Sequence, residues 1–185
     1  NRSVREFDLR DPAAILDKTR ELVLREFEKS EEEVKDGMDI ALCLLNTRTN
    51  MLQFSGAQNP LWLITSRSEI DGADISRTLS MDGMHLMEFK GNKQPIGMYA
   101  DPQPFTNHTI QLEKGDTIYL FSDGYADQFG GPKGKKLKYK AFKELLLSIQ
   151  HQSLQEQRDI IDERFETWRG DLEQIDDVCV IGVRI

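Results

Sequence analysis

The sequence predicts an α+β fold in which one domain spans residues 1–185. Three observations carry this prediction: short apolar runs fill the middle of the chain, two helical segments follow them, and one more apolar run ends the chain. Short runs that are rich in β-branched and aromatic residues are typical of strands. Strands grouped before helices are typical of α+β folds, and 185 residues suffice for one sizeable core.

The first predicted element is a helix that begins at Asp11-Pro12. Asp11 suits the N-cap because its carboxylate can accept a hydrogen bond from a free backbone N–H, and proline is favoured at the first helical position. Apolar residues then recur at spacings of three and four up to Phe27, which is the period of one helix face. The charged stretch 28–36 is expected to form the solvated end of this helix and the loop after it.

The remaining elements follow from the same patterns. Strands are predicted at 38–45, 51–55, 61–65, 84–89, 105–112, 117–121 and 178–183. Helices are predicted at 139–150 and 153–168. The segment 67–82 is polar and lacks clear periodicity, so we expect a loop there.

The composition excludes several classes of protein. Hydrophobic residues make up 38% and charged residues 30% of the chain, which is ordinary for a globular domain. No apolar run approaches the length of a membrane span, and no signal-like segment opens the sequence. The net charge of −8 argues against nucleic acid as the main partner. Cys43 and Cys179 lie in strand-like runs without metal-ligand spacing, which predicts buried free thiols in a reducing compartment.

Acidic residues stand where two predicted strands end and begin. Asp123 follows the run 117–121, and Asp176-Asp177 precedes the run 178–183. If these strands are adjacent and buried, their terminal carboxylates meet in one cleft. A carboxylate cluster without histidine suits a hard cation such as Mg²⁺ or Mn²⁺.

Each of these acidic segments also has a simpler interpretation. Asp123-Gly124 is a common turn dipeptide, and Asp176-Asp177 would serve as a solvated acidic corner. Against this, Asp123 and Asp127 flank a glycine that permits a sharp turn, and two adjacent carboxylates repel one another unless a cation lies between them.

Taken in order, these segments resemble the SpoIIE-type metal-dependent protein phosphatases. This group belongs to the PPM superfamily, which includes the eukaryotic type 2C serine/threonine phosphatases. The resemblance runs over nearly the whole chain and is carried by Phe121-Ser122-Asp123-Gly124, the Gly115-Asp116 turn before it, Asp176-Asp177-Val178, and the segments 36–42, 54–60 and 94–98. It implies a layered β-sandwich flanked by helices.

The resemblance also assigns roles to individual residues. Asp123 and Asp176 match the late aspartates that bind a pair of divalent ions, Mn²⁺ or Mg²⁺, in this family. Asp127 matches an acid that in some relatives contributes to a third, weaker metal site. Asp177 is expected beside the ligands and not among them, with Gly124 in the same cleft. Asp39 and Gln58 match positions where strands approach that cleft.

One motif of the family is absent from these 185 residues. The first metal motif, a strand ending in Asp-x-x-Gly-His-Gly, has no counterpart, since the aspartate–glycine pairs at Asp36, Asp71 and Asp82 lack the Gly-His-Gly continuation. The resemblance therefore implies an N-terminally truncated domain that begins inside or just after the helix following that motif. Such a portion is expected to be inactive alone. It should also leave a sheet edge uncovered, which a second copy could cap to form a homodimer.

The implied activity of the complete protein is hydrolysis of a phosphoserine or phosphothreonine on a partner protein. Two metal ions hold the attacking hydroxide, so no side chain acts as a nucleophile. The implied partner is a phosphorylated regulatory protein such as an anti-sigma-factor antagonist, and no membrane insertion is expected for this segment. The implied setting is the cytoplasm, as the cytosolic C-terminal domain of a larger bacterial sensor. The rival hypothesis is a non-catalytic partner-binding module of the same fold.

A lysine-rich stretch follows the Asp123 motif directly, at Lys133, Lys135, Lys136, Lys138 and Lys140. It is interpreted either as a solvated loop or as a flap beside the cleft that attracts an acidic phosphoprotein. The histidines are isolated in sequence and are expected to be structural or solvent-facing; they are His85, His108 and His151. Trp62 and Trp168 are expected to anchor the core.

Overall fold

The computed structural model describes residues 2–29 and 36–185 and confirms the α+β fold class. Within these residues the helices are α1 (Arg2–Arg5), α2 (Pro12–Phe27), α3 (Gly124–Asp127), α4 (Lys138–Ser148) and α5 (Leu154–Arg169). The strands are β1 (Gly37–Met38), β2 (Ile40–Asn46), β3 (Met51–Ala57), β4 (Leu61–Thr65), β5 (Arg77–Met81), β6 (Met84–Phe89), β7 (Ile96–Gly97), β8 (His108–Gln111), β9 (Thr117–Phe121), β10 (Phe129–Gly130), β11 (Lys135–Lys136) and β12 (Val180–Arg184).

The chain divides into two compact units. The first unit holds the described residues up to Leu61 together with Ile70–Ser76 and Phe89–Glu113, and the second holds Trp62–Glu69, Arg77–Glu88 and Lys114–Ile185. That residues 1–185 form one domain stays a prediction.

In the first unit, an antiparallel sheet of order β2-β3-β8 carries helix α2 on β3. The helix begins as predicted, because Asp11 Oδ1 accepts a hydrogen bond from the Ala14 N–H at 2.9 Å and Pro12 stands at the first helical position. Leu16 packs with Ala57, Ile96 and Phe105 in the core of this unit. The prediction for residues 28–36 falls mostly outside the described residues, which omit 30–35.

In the second unit, an antiparallel sheet has the order β12-β9-β4-β6-β5. Its core is aromatic, with Trp62 packed against Phe121 and Phe142, and Tyr125 stacked on Phe142 at a ring-centroid distance of 4.2 Å. Trp62 is fully buried and Trp168 packs at the rim of this core, as predicted. Helix α5 begins with a capping box between Ser153 and Glu156. Its first residue is Leu154, one residue after the predicted start at Ser153.

Two predictions about this sheet are wrong. Residues 77–81, predicted as part of a loop, form strand β5, which pairs with β6 at the sheet edge. Strand β12, predicted to be buried, is the other edge strand, and Ile181 is half exposed. For the same reason Cys179 is an exposed thiol and not a buried one, whereas burial raises the pKa of Cys43 to about 12.

The helices of the described residues include none that is long and apolar enough to cross a membrane.

Two of the three histidines have local structural contacts. His85 forms a hydrogen bond with Ser80, and His108 stacks on Phe54 in the first unit.

Candidate metal centre

The two predicted acidic segments lie side by side in the second unit. Strands β9 and β12 pair in antiparallel register, with Phe121 opposite Val180, so the end of β9 adjoins the start of β12. Beyond the ladder, Ser122 Oγ donates to the Asp177 carbonyl at 2.7 Å and accepts from the Cys179 N–H at 2.9 Å. The serine thus ties the segment that contains Asp123 to the segment that contains Asp176 and Asp177.

Gly124 is required by the close approach of these two segments. A Cβ at Gly124 would lie 2.6 Å from the Asp177 carbonyl oxygen and 3.3 Å from Asp176 Cβ. The first distance is shorter than Cβ atoms tolerate, so any side chain here would push the segments apart. The glycine begins helix α3 and does not form the sharp turn that the sequence predicts, and its role is to let Asp176 lie beside the residue that follows Asp123.

The carboxylates of Asp123, Asp176 and Asp177 are exposed to solvent. Asp176 Oδ1 accepts a hydrogen bond from the Asp177 N–H at 2.7 Å, and Gln174 Nε2 donates to the Asp176 carbonyl at 2.7 Å. These bonds fix the backbone around Asp176, and no described residue donates a hydrogen bond to its second carboxylate oxygen. The arrangement offers anionic oxygens at one end of the β9·β12 pair, which is the donor type that Mg²⁺ and Mn²⁺ prefer.

Asp127 has a partner that the sequence did not predict. Its carboxylate accepts a hydrogen bond from Lys136 Nζ at 2.9 Å, and both side chains are about two-fifths exposed. The Asp127 N–H donates to the Asp123 carbonyl at 2.9 Å, which places the ion pair one helical turn from Asp123. A metal cation at Asp127 would have to displace the Lys136 ammonium group or share the carboxylate with it. No sequence pattern signals the contact, because it depends on how the β10·β11 hairpin folds back.

Asp39 and Gln58 belong to the first unit. Asp39 lies between β1 and β2 and is exposed. Gln58 follows β3 with a positive φ of 62°, and its N–H donates to the Asn92 carbonyl at 2.9 Å. Their predicted place near a metal cleft stays a prediction.

A divalent metal pair needs several carboxylate ligands within one site. Within residues 2–29 and 36–185, no group of three or more His, Cys, Asp or Glu side chains is arranged to hold a metal ion. Hard cations shed their water only for several competing anionic ligands. The described residues therefore do not fit a complete two-metal centre, and the segments of Asp123 and Asp176 provide part of one at most.

Comparison with known proteins gives one family and several solved structures. A sequence model of the family described as Stage II sporulation protein E (SpoIIE) matches residues 2–185. The SiaA-PP2C domain of Pseudomonas aeruginosa is 26% identical, with a TM-score of 0.78, over 99% of this chain and 64% of that one. No curated protein sequence matches this chain.

Two structures of SpoIIE from Bacillus subtilis share the fold. The PP2C phosphatase domain with a fragment of the regulatory domain is 17% identical, with a TM-score of 0.65, over 96% of this chain and 45% of that one. The phosphatase domain in a crystal form without domain swapping is 18% identical, with a TM-score of 0.56, over 98% and 68%. The chain therefore has a PP2C-like fold and spans less than two thirds of the SiaA chain.

Proposed function

The chain belongs to the SpoIIE family, and from this premise we propose that it serves in a metal-dependent protein serine/threonine phosphatase of a bacterial signalling system. The observation that supports the proposal is the contact between the Asp123 and Asp176 segments, which Gly124 and Ser122 hold together at one end of the β9·β12 pair. The substrate class is a phosphoserine or phosphothreonine on a cytoplasmic regulatory protein, for example an anti-sigma-factor antagonist.

The residues of this chain would contribute ligands and not a nucleophile. Asp123 and Asp176 offer exposed carboxylates that can bind Mn²⁺ or Mg²⁺, and Asp177 holds the Asp176 carboxylate through its backbone N–H. Divalent ions, when bound in such a centre, acidify water and neutralise phosphoryl oxygens. Because the described residues do not complete the centre, ligands from outside the described residues would be required for turnover.

A second candidate function is a partner-binding module without catalysis. Two observations favour it. The described residues include no group of three metal ligands, and Asp127 forms an ion pair with Lys136. In this alternative the acidic residues and lysines recognise a partner by charge.

The decisive experiment measures phosphate release in the full-length protein. With Mn²⁺ and a phosphorylated protein substrate, Asp123→Asn and Asp176→Asn should each lower kcat/KM by about 100-fold or more, since even outer-sphere partners of metal ligands contribute about 10- to 100-fold. Asp171→Asn is the matched control, because Asp171 is exposed after α5 and outside the centre.

Circular dichroism should show that all three variants keep the fold. Undiminished activity in either of the first two variants would exclude that residue as an essential ligand. A wild-type protein that binds its partner but releases no phosphate would favour the non-catalytic module.

A further inference from the structure

A lysine-rich segment follows the Asp123 segment of the candidate centre in the sequence. We define the lysine surface as Lys133, Lys135, Lys136, Lys138 and Lys140, all of which are exposed. No acidic residue occurs between Gln128 and Lys143, although the whole chain carries a net charge of −8. Five of the 24 basic residues therefore stand within one short segment that has no acidic residue.

The hairpin that carries the first three lysines is firmly anchored. The Gly131 N–H donates to the Trp168 carbonyl at 2.7 Å, and Trp168 Nε1 donates to the Gln128 carbonyl at 3.0 Å. A Cβ at Gly130 would lie 1.8 Å from the Trp168 carbonyl oxygen, so this strand contacts the end of α5 without room for a side chain. The hairpin is thus tied to the end of α5 by two hydrogen bonds and by the close approach at Gly130.

Most of these ammonium groups lack an acidic partner. Lys136 pairs with Asp127, and Lys140 lies 3.8 Å from Glu144. Lys133, Lys135 and Lys138 form no ion pair with any residue in the described part of the chain. Lys138 and Lys140 also stand in the first turn of α4, where the helix dipole disfavours cations. These lysines therefore do little for the stability of the fold.

The position of the lysine surface links it to the candidate centre. The Lys136–Asp127 ion pair joins the hairpin to α3, and α3 begins directly after Asp123. A protein segment bound at the Asp123 end of β9 would therefore lie close to Lys136, and the other lysines stand within four residues of Lys136 in the sequence. Their charges would attract acidic residues that flank the bound position.

We propose that the lysine surface docks an acidic segment of the phosphoprotein substrate, with several Asp or Glu residues next to the phosphorylated residue. This inference rests on the proposed function and specifies its substrate class. A protein segment is favoured over nucleic acid, because the surface is short and the rest of the chain is acidic and repels a longer polyanion.

The test measures binding and needs neither metal nor turnover. The probe is a fluorescein-labelled peptide of about twelve residues with one phosphoserine and about six glutamates. Its binding is measured by fluorescence anisotropy. The salt concentration is kept the same throughout, because salt screens the attraction between exposed charges. The variant combines Lys133→Ala, Lys135→Ala and Lys138→Ala, and leaves the Asp127 ion pair intact. The control combines Lys90→Ala, Lys93→Ala and Lys114→Ala, which removes the same charge from exposed positions elsewhere.

The wild-type chain should bind the acidic peptide, and the lysine-surface variant should bind it about tenfold more weakly, because each exposed pair contributes modestly and three are lost. The control should stay within about twofold of the wild type. Equal losses in both variants, or no loss in either, would overturn the inference.

Two further probes make the result specific. Replacing the glutamates of the peptide with glutamine should weaken binding to the wild type, and unchanged binding would mean that the surface does not read acidic residues. Tighter binding of a single-stranded DNA of about equal charge, lost in the same variant, would make this a nucleic-acid surface and overturn the inference. The peptide binding could depend on the lysines while the full-length protein releases no phosphate. That pair of results would refute the proposed phosphatase and not the docking surface.

Discussion

A buried ion pair in the second unit is the strongest electrostatic feature at the scale of single residues. Glu88 Oε2 accepts hydrogen bonds from Lys143 Nζ at 2.5 Å and from Trp62 Nε1 at 3.1 Å. The Lys143 ammonium also lies 4.9 Å from the centre of the Trp62 ring, and its side chain is only 6% exposed. Burial alone would raise the pKa of Glu88, but the hydrogen bonds and the charge of Lys143 outweigh it and lower the pKa.

We predict that Glu88→Gln lowers the free energy of unfolding by about 3 kcal/mol, because it leaves the Lys143 charge buried and unpaired. The pH dependence should change as well. Since the pKa of Glu88 is depressed in the folded state, its contribution is present above the ordinary value of 4.5 and is lost as pH falls through the folded value. Urea denaturation between pH 3 and about 7 should show this loss in the wild type and not in Glu88→Gln.

The control for this prediction is Glu144→Gln, which removes an exposed partner of Lys140 and should cost less than about 0.5 kcal/mol. Equal stability of the Glu88 and Glu144 variants would show that the buried pair contributes nothing net.

At the residue scale, the sequence predicts the acidic segments but not their immediate contacts. The apolar run before Asp123 and the one after Asp177 predict strands, and these strands are in fact neighbours. The Lys136–Asp127 ion pair could not be predicted, because both side chains are polar at the surface and only the folded hairpin brings them together. The metal roles of Asp123, Asp176 and Asp127 stay predictions.

At the scale of elements, the sequence predicted what apolar periodicity and caps encode. Helix α2 starts at its Asp11 cap, and β4, β6 and β9 have the predicted limits. Strand β5 was missed because Arg77–Met81 is mostly polar, and its strand form depends on pairing with β6. The two-residue strands β10 and β11 carry no local signal either, since tertiary contacts create them.

The open edge of β12 leads to a prediction about assembly. The Cys179 carbonyl accepts from Ser122 and the Ile185 N–H donates to Asp116, so the odd-numbered residues face β9. Alternation then directs the backbone groups of Val180, Gly182 and Arg184 away from the sheet. We propose that a second copy of this chain pairs along this edge, because exposed strand edges with apolar side chains favour such pairing.

Sedimentation velocity over a range of concentrations should therefore detect a dimer of the 185-residue chain. Ile181→Lys combined with Val183→Lys should shift it to monomer, since lysine on an edge strand opposes pairing. Leu172→Lys, at a position of similar exposure outside the strands, is the control and should leave the dimer unchanged. A monomer at every concentration in the wild type would contradict the proposal.

At the scale of the whole molecule, charge and fold set different expectations for metal binding. The chain has the PP2C-like fold and an excess of acidic residues, 32 against 24 basic ones. An acidic surface attracts cations in general, but tight binding needs several ligands within one coordination sphere. The described residues bring only two acidic segments together at β9 and β12, and the nearby Asp127 is already paired with a lysine.

We predict that the 185-residue chain alone binds Mn²⁺ weakly, with a dissociation constant of about 1 mM or higher, and releases no phosphate from a phosphopeptide. Isothermal titration calorimetry with Mn²⁺ tests the first part. Lys136→Ala frees the Asp127 carboxylate and should tighten binding by severalfold, whereas Lys133→Ala leaves that carboxylate paired and should not. Micromolar binding by the wild type together with turnover would contradict the prediction and show that the 185-residue chain holds a working centre.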